Sequence, residues 1–155
     1  MLIKMIDQFR KSEILSFILR LIVGGIFVYA GVTKLYSPRD FAQIIQNYQI
    51  VPEVFTNLIA ILLPWLEIYS GLFIIFGLFS RSASVTLILI TIIFIIALLS
   101  AYFRGLNIDC GCFSQATRVD MSKIIADVFL LLFCWHLVIY PSKILSLDRL
   151  FKRLS

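Results

Sequence analysis

Charged side chains are scarce in this sequence. They make up 15% of the 155 residues, whereas 61% are hydrophobic and the mean hydropathy is +0.99. These values lie far outside the range of soluble globular proteins, so they exclude a soluble domain and indicate an integral membrane protein. The net charge of +5 does not indicate nucleic-acid binding, because the basic residues gather at the ends of apolar segments. There they set topology or meet anionic lipid, and the predicted partner is the lipid bilayer.

Histidine and cysteine are also few. The single histidine, His136, lies far along the chain from the closely spaced Cys110 and Cys112. A zinc site usually takes four Cys or His ligands, and this stretch offers two thiols and no imidazole. No metal site is therefore predicted, and metal binding by the two thiols stays the weaker alternative. His136 is predicted to be a hydrogen-bonded packing residue instead of a ligand.

Four apolar runs are long enough to cross a hydrocarbon core of about 30 Å as helices. They lie near residues 14–35, 57–79, 83–103 and 122–140. No A-x-A cleavage site follows the first run, so it is predicted to remain as a permanent helix. Amphipathic stretches predicted at the membrane interface lie near 1–13, 36–56 and 142–155. The predicted fold class is an all-α integral membrane protein, a four-transmembrane-helix bundle with interfacial amphipathic segments and a single domain over 1–155.

The distribution of Lys and Arg predicts which side of the membrane each loop faces. With the N-terminus in the cytoplasm, nine of these residues lie on the inner side and five on the outer side. The positive-inside rule therefore favours a prokaryotic inner-membrane protein with both termini in the cytoplasm. This orientation places Cys110 and Cys112 on the extracytoplasmic side, where disulfides form and persist.

The first span carries cations and glycines on one face. This face consists of Arg20, Gly24, Phe27, Gly31 and Lys34, which recur at intervals of three and four residues. A lipid-facing arginine is costly, and glycines let a second backbone approach, so the face is predicted to point into the bundle. Snorkelling of both cations to opposite interfaces is the alternative, and it suits the lysine better than the more deeply placed arginine.

Two acidic residues lie inside other predicted spans. Glu67 follows the helix-kinking Pro64 in the second span, and Asp127 lies about two turns into the fourth. Acidic residues at membrane depth are paired or functional. We predict that Glu67 pairs with Arg20, which lies at a similar depth if both spans are centred, and a proton relay is the alternative role. Asp127 lies at a depth that Lys34 reaches by bending its side chain inward. Arg20, Glu67 and Asp127 are thus predicted to have structural or proton-relay roles.

The stretch Cys110-Gly111-Cys112 lies between two long apolar runs. Cα atoms two positions apart are separated by about 5.5–7 Å, which overlaps the disulfide range of about 4.4–6.8 Å, and the central glycine permits the bend. A ring this small is strained and easily reduced, which favours exchange over structural stabilisation. Cysteines without a redox role are the simpler alternative. Cys134, about 20 Å along the fourth span, is predicted to fill apolar space.

These features together resemble a known family of membrane proteins. The pattern consists of the first helix face followed by Pro38, Phe41, Pro64, Glu67, Gly71 and the stretch Asp109-Cys110-Gly111-Cys112-Phe113. It resembles the DoxX-like superfamily, and within it the MauE-type branch, over residues 15–140. The resemblance implies a four-helix bundle associated with making or handling disulfides in exported proteins. Other relatives are described as subunits of quinol oxidases, so substrate and electron acceptor stay open.

The predicted function is a membrane thiol–disulfide oxidoreductase in which Cys110 and Cys112 are the catalytic pair. They are predicted to exchange with an extracytoplasmic thioredoxin-like protein or a cysteine-containing client. Quinone is a candidate electron acceptor, with a predicted pocket formed by Lys34, Trp65, Glu67 and Tyr69. The chain lacks the second cysteine pair that the quinone-linked vitamin K epoxide reductase family uses as a relay. The alternative is a non-catalytic subunit or scaffold of a redox or quinol oxidase complex. A small-molecule carrier is disfavoured, because the sequence shows no internal repeat.

Overall fold

The computed structural model describes residues 2–106 and 121–139, with side chains described from residue 13 onward. Within these ranges the chain forms five α-helices and no strand. They are α1 (Leu2–Tyr36), α2 (Pro38–Asn47), α3 (Glu53–Phe76), α4 (Ser80–Phe103) and α5 (Met121–Ile139). Four segments are long and apolar enough to cross a membrane: Glu13–Tyr36, Glu53–Phe76, Ser80–Phe103 and Met121–Ile139. The predicted four-helix membrane bundle is confirmed, whereas the stretch predicted near 142–155 lies outside the described residues.

The turn between α3 and α4 depends on two left-handed residues. Gly77 takes a φ of 67°, and the Leu78 N–H donates to the Phe73 carbonyl oxygen at 2.9 Å, which closes the end of α3. Phe79 has a φ of 46° and directly precedes α4. The second span therefore covers Glu53–Phe76 instead of the predicted 57–79, because the glycine turn ends the helix before the apolar run is finished.

The N-terminal segment is not a separate interfacial helix. The structure continues α1 without a break from Leu2 to Tyr36, which corrects the helix predicted over 1–13. No proline lies in this stretch, and its first glycine is Gly24. Because a helix ends at a residue that disrupts its hydrogen bonds or caps it, the sequence holds no stop signal between the polar N-terminal residues and the apolar span.

The amphipathic helix predicted between the first two spans is present as α2. Pro38 occupies its first turn, and its Phe41 side chain is buried, as is Tyr48 just beyond the helix. Pro52 is the N-cap residue of α3. Since α2 packs chiefly on α3, it covers one end of the bundle.

Glycines bring α1 and α3 into close contact. A Cβ atom placed on Gly24 would lie 2.7 Å from the Gly71 carbonyl oxygen, and one placed on Gly31 would lie 2.7 Å from the Pro64 carbonyl oxygen. Neither position has room for a side chain, so these glycines allow the two backbones to approach. The two contacts also fix the antiparallel register of the helices, and they confirm that the glycine-bearing face of the first span points into the bundle.

Two apolar clusters fill the described part of the bundle. One surrounds the fully buried Cys134 and includes Val23, Phe27, Ile74, Leu87 and Leu137. Cys134 is therefore the apolar filler that its position predicts. The second cluster, at the α2 end, contains Tyr48, Leu98, Ala101 and Ile124. It holds the end of α4 and the start of α5 beside α2, and residues 107–120 connect these two helices.

Candidate functional site

Lys34 is the centre of the candidate site. Its Nζ donates hydrogen bonds to both carboxylate oxygens of Glu67, each at 2.7 Å. Only 5% of the lysine side chain and 4% of the glutamate side chain are exposed. Solvent screens such a pair little, and either charge alone would be costly at this position. The pair therefore joins α1 to α3 within the bundle, and snorkelling of Lys34 to the interface is excluded.

Two aromatic rings face the same ammonium group. The Lys34 Nζ lies 5.5 Å from the ring centroid of Phe41 on α2 and 5.7 Å from that of Phe94 on α4. Both distances lie within cation–π range, and the contribution of such contacts grows when the cation is desolvated. The rings therefore compensate part of the hydration that the ammonium group loses on burial.

A cavity of about 50 Å³ lies beside the ion pair. Asp127 of α5 and Thr91 of α4 line it together with Lys34 and Glu67. Asp127 interacts electrostatically with Lys34, and its Oδ2 atom is buried with no hydrogen-bond partner among the described residues. The Thr91 hydroxyl donates to the Leu87 carbonyl oxygen at 2.7 Å, and its own oxygen still has acceptor capacity. Polar groups from four helices thus meet at one small cavity.

Arg20 is not the partner of Glu67, which corrects the predicted pairing. It lies about 21 Å from Lys34 along α1, at 1.5 Å per residue. In the antiparallel register, α3 brings Glu67 beside Gly31, one turn from Lys34. Arg20 is instead buried near the opposite end of the span, with 2% of its area exposed and its guanidinium carbon 5.2 Å from the Phe17 ring centroid.

The predicted quinone pocket is not assembled. Lys34 and Glu67 are buried, but Trp65 and Tyr69 are 44% and 52% exposed and stack on each other at 5.6 Å on the outer face of α3. Residues two apart on a helix point in nearly opposite directions, so Glu67 faces away from its two aromatic neighbours. The cavity of about 50 Å³ is also far below the roughly 300–1,000 Å³ of ligand pockets. Lys34, Trp65, Glu67 and Tyr69 therefore do not form one pocket.

Cys110 and Cys112 lie outside the described residues, and Arg104 is the last charged residue described before them. Arg104, just after α4, donates from Nη1 to the Tyr48 carbonyl oxygen at 2.9 Å and from Nη2 to the Gln49 Oε1 at 2.8 Å. These hydrogen bonds tie the exit of α4 to the end of α2. The cysteine segment thus departs from, and returns to, the end of the bundle where Lys34 lies.

His136 lies between α5 and α1, with its Nε2 3.4 Å from the Ser16 Oγ. This contact agrees with the predicted hydrogen-bonded packing role. The site around Lys34 lies elsewhere in the bundle and does not include His136.

Two groups at the site were not singled out from the sequence: the Phe94 ring and the Thr91 hydroxyl. Thr91 and Phe94 lie three residues apart on α4, among apolar residues that give no chemical signal. A polar residue on the buried face of an otherwise uncharged span was the available clue, because hydroxyls at such positions need a partner. The pairing of Lys34 with Glu67 was missed for a different reason, since it depends on the register of α1 against α3.

The chain matches known proteins over most of its length. The family model described as Methylamine utilisation protein MauE matches residues 12–140. Methylamine utilization protein MauE of Paracoccus denitrificans is 26% identical over 108 residues, covering 69% of this chain and 58% of that protein. The protein of that name from Methylophilus methylotrophus is 30% identical over 105 residues, covering 67% of this chain and 54% of that protein.

A third protein of the same name, from Methylorubrum extorquens, is 26% identical over 97 residues, covering 62% of this chain and 52% of that protein. The chain thus spans little more than half the length of these curated relatives. No solved structure matches it. With the family model matching nearly every residue from the first span to the last, this chain belongs to the MauE family.

Proposed function

We propose that this chain is a membrane thiol–disulfide oxidoreductase acting on exported proteins in methylamine utilisation. The observation that carries the proposal is the Cys110-Gly111-Cys112 sequence in the segment between α4 and α5. The names of the relatives support the metabolic setting. The helix pattern around Arg20, Lys34 and Glu67 supports placing the chain in the wider DoxX-like superfamily.

The proposed reaction moves a disulfide between two proteins. A thiolate of the partner attacks the Cys110–Cys112 disulfide and forms a mixed disulfide between the two proteins. The partner's second thiolate then attacks the partner sulfur of this mixed disulfide and releases the cysteine of this chain. The partner leaves oxidised, and the cysteine pair is left as a dithiol with two added electrons and two protons. The pair is reoxidised by the reverse exchange with the disulfide of an extracytoplasmic thioredoxin-like protein, which becomes reduced. Sulfur bonds, electrons and protons balance in both halves, and no quinone is required.

The surroundings of the segment support an exchanging pair. Its two flanks lie beside α2, at the bundle end that the charge distribution predicts to be extracytoplasmic. Basic residues on both sides of the pair favour a thiolate, whereas Asp109 next to Cys110 opposes it. Cys112 is therefore proposed as the cysteine that attacks the disulfide of the thioredoxin-like protein during reoxidation, and Cys110 as the one that then resolves the mixed disulfide.

The first test captures the mixed disulfide. Cys110→Ser retains the Cys112 thiolate and removes the resolving thiol, so attack of Cys112 on the disulfide of an oxidised thioredoxin-like protein or an already oxidised client is expected to stop at a covalent mixed disulfide in native membranes. Non-reducing gels and mass spectrometry identify the complex. Cys112→Ser is expected to trap little, and Cys134→Ser, which changes a buried cysteine outside the pair, is expected to trap nothing.

The same variants distinguish the oxidoreductase from a scaffold. The double variant Cys110→Ser/Cys112→Ser is expected to abolish disulfide formation in the client. If neither single variant traps a partner and the double variant keeps full function, the chain is a non-catalytic subunit and the oxidoreductase proposal fails.

The second test addresses orientation. A membrane-impermeant maleimide, added to intact spheroplasts after mild reduction, is expected to label Cys110 or Cys112 but not the fully buried Cys134. Labelling is read as a mass shift on single-cysteine variants. Labelling that requires broken membranes would place the pair on the cytoplasmic side and reverse the proposed topology.

A further inference from the structure

The two acidic side chains beside Lys34 are held differently. Glu67 receives two hydrogen bonds from the lysine ammonium group. The Oδ2 atom of Asp127 is buried and has no hydrogen-bond partner within residues 13–106 and 121–139. Buried carboxyl oxygens are ordinarily hydrogen-bonded. Oδ2 therefore calls for either a proton of its own or a small hydrogen-bond donor in the adjoining cavity.

The cavity has the size for water and four polar residues, Lys34, Glu67, Thr91 and Asp127, in an otherwise apolar lining. Its volume is about 50 Å³, and a water molecule needs roughly 10–15 Å³ measured in this way, so a few waters fit. Asp127 Oδ2 and the Thr91 hydroxyl offer acceptors, and the Lys34 ammonium group offers a donor. A water here has the polar partners that hold buried water in place.

The charges around Asp127 act in opposite directions. Lys34 of α1 and Lys123, one turn earlier on α5, are the cations that attract it. Glu67 of α3 lines the same cavity and is the like-charged group nearest to this position among the lining residues. The α4 lining contributes Thr91 and Phe94, neither of which is ionisable, and α2 contributes the Phe41 ring at Lys34. Asp127 is therefore a carboxyl group with charges of both signs around it and with one oxygen, Oδ2, that no described residue hydrogen-bonds.

We propose that Asp127 is a proton-exchange site within the bundle, served by water in this cavity. A hydronium ion gives its proton to the carboxylate, which leaves a carboxylic acid and a water molecule, and release is the reverse step. No electrons move. With Asp127 neutral, Lys34 and Glu67 form a balanced pair, and with Asp127 ionised, the lysine charge is shared by two carboxylates. The site is independent of whether Cys110 and Cys112 exchange disulfides.

Infrared difference spectroscopy on the full chain in lipid nanodiscs tests this site. Acidification is expected to produce the C=O stretching band of one half-buried carboxylic acid per chain, and the band should shift in D₂O because water reaches the group. Asp127→Asn is expected to remove this band. Asp40→Asn, which changes an exposed carboxylate on α2, is expected to leave it unchanged.

Further variants keep the test decisive if Asp127→Asn folds poorly. Asp127→Glu retains a carboxyl group and is expected to keep a titrating band at a changed frequency, and Glu67→Gln is expected to keep a single band. Circular dichroism checks the fold of each protein. The proposal is overturned if the band survives in Asp127→Asn, if it does not respond to pH, or if it changes with sodium concentration at fixed pH, which would indicate a cation site.

Discussion

Lys34→Met is expected to lower the free energy of unfolding by about 3–5 kcal/mol, the typical cost of removing one partner from a buried ion pair. Methionine keeps most of the length and apolar volume of lysine, so the loss reports the charge. Glu67 would keep a buried carboxylate with no ammonium partner, and the adjacent Asp127 would lose an attracting charge. This change therefore removes the cation that attracts both Glu67 and Asp127.

Unfolding by SDS in mixed micelles, followed by circular dichroism, measures this loss. Glu67→Gln is expected to lower the free energy of unfolding less than Lys34→Met does, because the amide oxygen still accepts a hydrogen bond from Lys34. Combining Lys34→Met with Glu67→Leu is expected to recover much of the stability, because neither charge of the pair is then stranded. Arg39→Met, at an exposed position on α2, is the control and should change stability by less than about 0.5 kcal/mol. An unfolding midpoint of Lys34→Met equal to that of the original chain would contradict the pairing.

The helical content follows from the sequence because each span is a long apolar run bounded by polar residues. Hydrophobicity locates the centre of a span reliably. It does not locate helix ends, which depend on local backbone geometry. Gly77 ends α3 while the apolar residues continue, and α1 begins far before its apolar run because nothing breaks the helix. Length and hydrophobicity therefore predict the bundle, and capping residues decide its boundaries.

The site is harder to predict because its members come from different helices. Depth along a span suggested Arg20 for Glu67, but the structure selects Lys34, since side chains on the two antiparallel helices lean toward their own N-termini and so toward each other. Grouping Trp65, Glu67 and Tyr69 as one pocket failed for a simpler reason, because a helix turns about 100° per residue. A single sequence shows which residues are polar, but the register of the helices decides which of these residues come into contact.

Gly31→Ala is expected to destabilise the protein by about 1–3 kcal/mol, the usual cost of inserting a methyl group into a filled interior. The added Cβ would lie 2.7 Å from the Pro64 carbonyl oxygen and 2.6 Å from the Ile68 Cγ1. A backbone oxygen cannot rotate away as a side chain does, so α1 and α3 must separate. Lys34 lies one turn further along α1, and the separation is expected to lengthen its hydrogen bonds to Glu67.

Gly25→Ala is the matched control, because a Cβ at that position meets no atom within 4 Å. Alanine favours a helix over glycine by up to about 1 kcal/mol, so this neighbouring substitution is expected to stabilise the protein. The same SDS unfolding measurement should give opposite signs for the two variants. Equal effects would mean that α1 and α3 do not make this close contact. If the two signs are opposite, the double variant Gly31→Ala/Lys34→Met should lose less stability than the sum of the losses in the two single variants. Gly31→Ala already weakens the ion pair that Lys34→Met removes.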